Sequence, residues 1–210
     1  MFACAAGQAR SRVFGAEHYA NFGELRAAQV EGRDYRIVVK DRKSPVTVFA
    51  IHGGEIEPGT SQIAHALAGQ DWNLYLFEGL GGGSSRKLHV TAAHFDEPLA
   101  VALAGRSGLG ISVHRKKGEG KIACVGGGNA SARRSVAQAL SAKGFRAEEP
   151  CLRLPGASPK NIANLPRAGG VQLELSGGLI LELLQEPAKR ERFRQAVRLA
   201  VLQEIRHRSF

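Results

Sequence analysis

The chain has 210 residues, of which 43% are hydrophobic and 23% charged, and its formal net charge is +10. This size and balance are typical of one globular domain, with or without additions. No apolar run approaches the ~20 residues that span a bilayer, so we expect no membrane-spanning segment. The apolar start at residues 1–6 is too short for a secretory signal, and the cytoplasm is the default compartment.

Positive charge is concentrated in the middle of the chain. Residues 105–160 hold 11 Lys and Arg against 3 Asp and Glu. Such an excess predicts a polyanionic partner, either an acidic polypeptide or a nucleic acid, with simple solubility charge as the alternative. Aromatic residues make up 6% of the chain, and no helix-turn-helix or zinc-finger pattern is present. An acidic polypeptide is therefore favoured over nucleic acid.

The cysteine pattern argues against cross-links. Cys4, Cys124 and Cys151 are odd in number, widely spaced and without a CxxC pair. This predicts neither a disulfide framework nor a cysteine metal site. Because Cys124 lies in an apolar run, we interpret it as a small buried hydrophobic residue.

Apolar periodicity predicts alternating strands and helices. The predicted strands are 35–39, 46–51, 72–78, 88–91, 109–114, 122–125 and 171–175. The predicted helices are 19–31, 61–67, 95–104, 131–143 and 187–207, while 179–184 fits a strand or a helix. The alternation favours a single α/β domain with a mostly parallel or mixed central sheet and helices on both faces.

The most informative segment follows the apolar strand 46–51. His52 stands at the carboxyl end of this strand, where open α/β sheets place their ligands. Two glycines allow a sharp turn, and Glu55 and Glu57 follow at once. An imidazole beside a carboxylate predicts half of a zinc site. The alternative is an ordinary strand-to-helix turn with two solvated glutamates.

Two further strands end on residues of the same chemistry. Strand 109–114 ends on His114, and strand 171–175 carries Glu174 near its end. Two imidazoles and one carboxylate suit a catalytic zinc that keeps an open position for water, with a nearby carboxylate as general base. Each histidine alone is also typical of a core residue at a strand end, but the coincidence of three strand ends favours the site.

Two glycine-rich segments carry no nucleotide signature. Residues 81–85 lack the Gly-Lys-Ser/Thr ending of a phosphate loop, and residues 126–129 lack GxGxxG spacing. We expect a flexible cleft loop at residues 81–85.

Six stretches between residues 19 and 180 together resemble the poly-γ-glutamate hydrolase family, zinc peptidases of bacteriophages and bacteria. They are YANFGEL (19–25), EGRDYRI (31–37), HGGEIEPGT (52–60), LHVTAAHFDEP (88–98), ISVH (111–114) and VQLELS (171–176). The resemblance implies a carboxypeptidase-like fold and one zinc ion held by His52, Glu57 and His114. It implies Glu174 as the general base, and Glu55 is the less expected ligand because the family usually has glycine there.

The same resemblance implies hydrolysis of amide bonds in poly-γ-glutamate or a similar acidic γ-glutamyl peptide. The substrate-binding candidates are His89, His94, Arg86 and Arg115. Two arginines that often follow the family's Glu-Leu-Ser stretch are replaced here by Gly177 and Ile180. Arg115 and Lys116, where the family commonly has glycine after the histidine, are candidates to supply the missing charge.

The predicted organisation has three parts: an N-terminal extension (1–18), a zinc hydrolase domain (19–186) and a basic amphipathic C-terminal helix packed on it (187–210). A monomer is expected, and secretion or phage-mediated release stays open. Two alternative functions are kept. One is a zinc amidase acting on another acidic N-acyl amino acid or peptide, which the missing arginines favour. The other is a basic nucleic-acid-binding protein on a degenerate hydrolase fold.

Overall fold

A seven-stranded mixed sheet forms the centre of the protein in the computed structural model, which describes residues 17–206. The strands are β1 (Tyr35–Lys40), β2 (Val46–Gly54), β3 (Asn73–Gly79), β4 (Leu109–Lys116), β5 (Ile122–Gly126), β6 (Arg146–Glu148) and β7 (Gly170–Ser176). Their order is β1-β3-β2-β4-β7-β5-β6. The four central strands are mutually parallel, β1 and β5 run antiparallel to their inner neighbours, and β6 is parallel to β5.

Helices cover both faces of this sheet. They are α1 (Phe22–Ala28), α2 (Thr60–Ala68), α3 (Pro98–Gly105), α4 (Ala130–Ala142), α5 (Gly177–Gln185) and α6 (Pro187–Arg206). Alternation along β2 sends Val48 and Ala50 into the larger apolar core under α2, α4, α5 and α6. Phe49 and Ile51 enter the second core under α1 and α3. The predicted single α/β domain with helices on both faces is confirmed.

Helix α6 is fixed to the domain by apolar and charged contacts. Phe193 and Val197 are buried in the larger core. The Arg198 guanidinium lies 4.0 Å from the Trp72 ring centroid and forms an ion pair of 2.6 Å with Asp71. The division into extension, domain and terminal helix stays a prediction, since residues 1–16 and 207–210 lie outside the described residues. No helix within 17–206 has the length and apolarity to cross a membrane.

One predicted strand and one predicted loop differ from the structure. No strand forms at residues 88–91, which follow a 3-10 helix (Gly82–Leu88) in place of the expected flexible loop. Leu88 and Val90 are buried while His89 between them is partly exposed. The alternation of apolar and polar residues that predicts a strand therefore belongs to a loop whose apolar side chains pack in the core. Residues 179–184 belong to helix α5.

The prediction that the cysteines form no cross-link is wrong, although Cys124 is buried as expected. Cys124 on β5 and Cys151 after β6 form a disulfide with Cα atoms 5.0 Å apart. The Cys151 N–H also donates to the Val125 carbonyl at 3.1 Å, which aligns the two chain segments. An odd number of cysteines is compatible with one disulfide, and the third cysteine, Cys4, lies outside the described residues. Disulfides persist mainly in oxidising compartments, and the cytoplasmic location stays a prediction.

Candidate metal centre

The turn after β2 brings Glu57 back to His52. The Glu57 N–H donates to the His52 carbonyl at 2.9 Å and closes the turn. A side chain at Gly53 would lie 2.3 Å from Ser61 Oγ, so only glycine allows β2 and α2 to approach so closely here. Gly59, at φ +98°, then starts α2. The glycines therefore fold the carboxylate of Glu57 over the end of its own strand.

Three side chains converge at this edge of the sheet. His52 Nδ1 lies 3.1 Å from Glu57 Oε1 and 3.1 Å from His114 Nδ1. His114 Nδ1 lies 3.6 Å from Glu57 Oε2. One donor atom from each residue falls within 4.8 Å of the others, as expected of residues that can hold a metal ion. Glu55 is exposed and lies outside this cluster.

Second contacts orient these side chains. His52 Nε2 lies 2.9 Å from the Val90 carbonyl, which can only accept, so this nitrogen carries the proton and Nδ1 keeps its lone pair. The Arg115 N–H donates to Glu57 Oε2 at 2.8 Å. His114 Nε2 is buried without a hydrogen-bond partner within the described residues. Outer contacts of this kind fix the tautomer and direction of metal-binding side chains.

The charges of the cluster are mutually stabilising. Burial alone would raise the pKa of Glu57, but His52 and His114 outweigh it and hold that pKa well below its usual range. Burial alone would lower the pKa of His114, but its hydrogen bond with Glu57 and the charge of Glu174 raise that pKa. The carboxylate of Glu57 is therefore held in its anionic form beside two imidazoles.

Glu174 lies beside this cluster on the neighbouring strand. Its Cα pairs with that of His114 in the β4–β7 register, and its side chain is buried. The Gln172 Nε2–H donates to Glu174 Oε1 at 2.8 Å, and the Asn161 Nδ2–H donates to Gln172 Oε1 at 2.7 Å. Burial raises the pKa of Glu174 despite the opposing charge of His114. A carboxylate with a raised pKa beside a cation site suits proton transfer.

The other candidates differ in their distance from the cluster. The His89 ring stacks on His52 with centroids 3.9 Å apart, and burial and the neighbouring His52 lower its pKa to about 4. His94 Nδ1 lies 3.8 Å from Glu17, outside the cluster. Arg86 is exposed on the 3-10 helix, and within residues 17–206 its side chain contacts none of the three cluster residues.

The Arg115 side chain extends towards Pro58 and Gly177 at the start of α5. Its Nη1 donates to the Pro58 carbonyl at 3.3 Å, and a Cβ added at Gly177 would lie 3.0 Å from its Nη2. The Arg115 guanidinium therefore occupies the space that a side chain at position 177 would need. Position 177 has no arginine in this chain, and the guanidinium of Arg115 from β4 fills the space next to it.

Comparison with known proteins assigns the chain to a family. The family model described as poly-gamma-glutamate hydrolase matches residues 19–203, which is most of the chain. The chain belongs to the poly-γ-glutamate hydrolase family.

Relatives and solved structures agree with this assignment. UPF0714 protein YndL of Bacillus subtilis (strain 168) is 39% identical over 171 residues, covering 80% of this chain and 67% of YndL. The SPbeta prophage-derived UPF0714 protein YoqZ of the same organism is 37% identical, covering 78% of this chain and 60% of YoqZ. The matched part thus spans about two thirds of these relatives.

Two solved structures have the same fold. A bacteriophage poly-γ-glutamate hydrolase matches with a TM-score of 0.86 and 29% identity, covering 91% of this chain and 100% of that one. YNDL in an apo, zinc-free form matches with a TM-score of 0.80 and 33% identity, covering 90% and 99%.

Three residues that contact the candidate residues, directly or through one neighbour, are not predicted from the sequence. Glu17 accepts a hydrogen bond from the Thr91 N–H at 2.6 Å and lies 3.7 Å from His89, although it falls within the predicted extension. Gln172 and Asn161 link to Glu174 as described. The alternation of β7 contained a signal for Gln172, because it is two residues from Glu174 and faces the same side.

Proposed function

We propose that this protein is a zinc-dependent hydrolase that cleaves amide bonds of poly-γ-glutamate or a similar acidic γ-glutamyl peptide. The observation that carries the proposal is the convergence of His52 Nδ1, His114 Nδ1 and the Glu57 carboxylate beside the buried Glu174. Membership of a hydrolase family and the likeness to a zinc-free form of YNDL support it.

The residues present fit a zinc ion. Nitrogen and oxygen ligands about 2.0–2.2 Å from a tetrahedral zinc lie roughly 3.3–3.5 Å from one another. In the cluster, His52 Nδ1 and His114 Nδ1 are 3.1 Å apart, Glu57 Oε1 lies 3.1 Å from His52 Nδ1, and Glu57 Oε2 lies 3.6 Å from His114 Nδ1. Three protein ligands leave a fourth position for water, which is the arrangement of catalytic zinc sites. His52, Glu57 and His114 would hold the ion without rearrangement of the strands.

The chain's own groups then complete the chemistry. Bound at these three residues, zinc would activate a water molecule and polarise the scissile carbonyl. Glu174 takes the proton from the attacking water and returns it to the leaving amine. Gln172 holds one oxygen of Glu174, which leaves the other free for this transfer. His89, His94, Arg86 and Arg115 are proposed to contact the substrate.

The basic side chains favour an acidic substrate. Arg115 lies between the cluster and the start of α5, where it can pair with a substrate carboxylate. The same observation supports a second candidate function, a zinc amidase that acts on another acidic N-acyl amino acid or peptide. Arg115 comes from a different strand position than the expected arginine, so it would present its charge to the substrate in a different geometry.

Cleavage of matched γ-linked and α-linked glutamate oligomers by zinc-loaded protein tests the proposal. We expect cleavage of the γ-linked oligomer, reduced roughly 10²–10⁴-fold in Glu174→Gln, which should keep its zinc. Preference for the α-linked oligomer would favour the second candidate. Full activity of Glu174→Gln would remove Glu174 from the mechanism.

A further inference from the structure

A basic pocket of about 230 Å³ opens beside β5 and β6, next to α5 and α6. Its charged lining residues, which define the basic pocket here, are Lys121, Lys143, Arg146, Lys189, Arg192 and Glu182. Five cations around one carboxylate leave a net charge of +4. Neither the metal cluster nor Glu174 contributes to this lining, so the basic pocket is separate from the proposed catalytic site.

Carboxylates outside the lining neutralise part of this charge, since Arg146 Nη2 lies 3.5 Å from Glu148 and Lys189 Nζ lies 3.3 Å from Glu186. Glu182 Oε1 lies 2.6 Å from Lys121 Nζ and 2.7 Å from Lys189 Nζ, so one carboxylate serves two ammonium groups. Lys143 and Arg192 are exposed, and within residues 17–206 neither has a carboxylate at salt-bridge distance. Clustered like charges repel one another and create a positive potential that attracts anions.

The basic pocket lies at the same edge of the sheet as the metal cluster. β7 carries Glu174 between His114 on β4 and Cys124 on β5. The Ile122 N–H, next to Lys121, donates to Ser176 Oγ at 2.9 Å, which places the start of β5 beside the end of β7. The two sites lie on opposite faces of the sheet, because Glu174 alternates with Leu173 and Leu175, which pack in the larger core with Phe145 and Leu179 of the basic pocket.

Further cations lie along the path between the two sites. Arg115 and Lys116 follow His114 directly on β4, and Lys117 begins the connection to Lys121. The Gly177 N–H donates to the Gly118 carbonyl at 3.0 Å, which holds this connection against the start of α5. The connection from β4 to β5 therefore carries more cations than anions, with Glu119 in the same segment and Lys116 Nζ 4.0 Å from Glu148.

We propose that the basic pocket is an exosite that binds carboxylates of the same acidic polymer several residues away from the amide bond being cleaved. This inference rests on the proposed function. A bound remote segment raises local substrate concentration and lowers KM for long chains. An acidic peptide suits the basic pocket better than nucleic acid does, because its aromatic residue, Phe145, is buried and offers no surface for base stacking.

Chain-length dependence of hydrolysis tests the exosite. The variant is Lys143→Gln with Arg192→Gln, and the control is Arg26→Gln with Arg134→Gln, two exposed arginines outside the basic pocket. The measured quantity is kcat/KM for long poly-γ-glutamate divided by kcat/KM for the γ-linked dimer. We expect the pocket variant to lower this ratio about three- to tenfold through a higher KM, and the control to change it less than twofold.

Polymer binding to zinc-free protein separates this inference from the proposed function. Anisotropy of fluorescent poly-γ-glutamate should show binding that weakens with salt and is lost in the pocket variant. If zinc-loaded protein cleaves neither substrate, the proposed function fails, but this binding result still supports the basic pocket.

An unchanged ratio together with unchanged polymer binding would overturn the exosite. Tighter binding of a DNA duplex of equal charge, lost in the same variant, would overturn the acidic peptide as its occupant. Unfolding curves establish that both double variants are folded. Lys143→Glu alone, which should lower the ratio more than Lys143→Gln, provides a second variant.

Discussion

Replacing Gln172 by leucine should shift the acidic limb of the pH–rate profile to higher pH. The hydrogen bond from Gln172 to Glu174, 2.8 Å long and in a buried setting, is one of the interactions that favour the ionised carboxylate. Leucine has a similar volume but no donor. The pKa of Glu174, already raised by burial, should rise further, so the general base is protonated over a wider pH range.

The size of the effect follows from the hydrogen bond lost. A hydrogen bond to a charged group contributes about 1.5–3 kcal/mol. Since 1.36 kcal/mol corresponds to a factor of ten, the ionised fraction of Glu174 on the acidic limb should fall about 10- to 150-fold. On the alkaline plateau, where Glu174 is ionised in both proteins, the loss of kcat should be much smaller.

The assay is kcat for a γ-linked glutamate oligomer from acidic to alkaline pH, with zinc content measured for each protein. Asn161→Ala is the matched control, because it removes the bond to Gln172 but keeps the amide of Gln172 on Glu174. Its acidic limb should move less. An equal loss of activity by Gln172→Leu at every pH would refute the reasoning, since it would indicate a structural role alone.

Three further predictions concern stability. Glu174→Gln should stabilise the zinc-free protein by about 0.5–2 kcal/mol at pH 8 in urea unfolding, because burial raises the pKa of Glu174 and its ionisation opposes folding. The wild type loses stability as the pH rises through that raised pKa. The stability gained by Glu174→Gln should therefore vanish below about pH 4, where Glu174 is protonated in both the folded and the unfolded chain. A gain that persists below this pH would contradict the prediction. Gly59→Ala should cost about 2 kcal/mol or more in thermal unfolding, because φ is +98° and the new Cβ would lie 2.2 Å from Ile180 Cγ2. Gly83→Ala, with no heavy atom within 4 Å of its Cβ, should cost less than half as much. The Cys124–Cys151 disulfide joins residues separated by 27 positions, and its reduction should lower the free energy of unfolding by about 3–4 kcal/mol. Equal denaturant midpoints for the oxidised and reduced protein would contradict this prediction.

The parts of the fold that could be predicted are those with strong local patterns. β2 and β4 are apolar runs bounded by turn residues, and each ends near a histidine. α5 could not be distinguished from a strand, because its apolar run fits both. The deciding contact is the Ser176 side chain, which accepts from the Leu179 N–H at 3.4 Å and caps the helix.

The candidate residues that lie at strand ends could be predicted from the sequence, whereas those that meet through contacts between distant loops could not. His52, His114 and Glu174 come together because adjacent parallel strands end at one edge of the sheet. The contact of Asn161 with Gln172 depends on a loop whose path has no local signature. The disulfide likewise depends on the crossover from β5 to β6, which brings together cysteines that the sequence keeps apart.

Zinc content tests the central claim most directly. Wild-type protein, His114→Ala and the control His65→Ala, which alters an exposed histidine on α2, are loaded with zinc, desalted and analysed for metal. We predict one zinc per chain in the wild type and in His65→Ala, and none in His114→Ala. A wild type that retains no zinc, or a His114→Ala variant that keeps a full equivalent, would contradict a metal centre formed by the ends of β2 and β4.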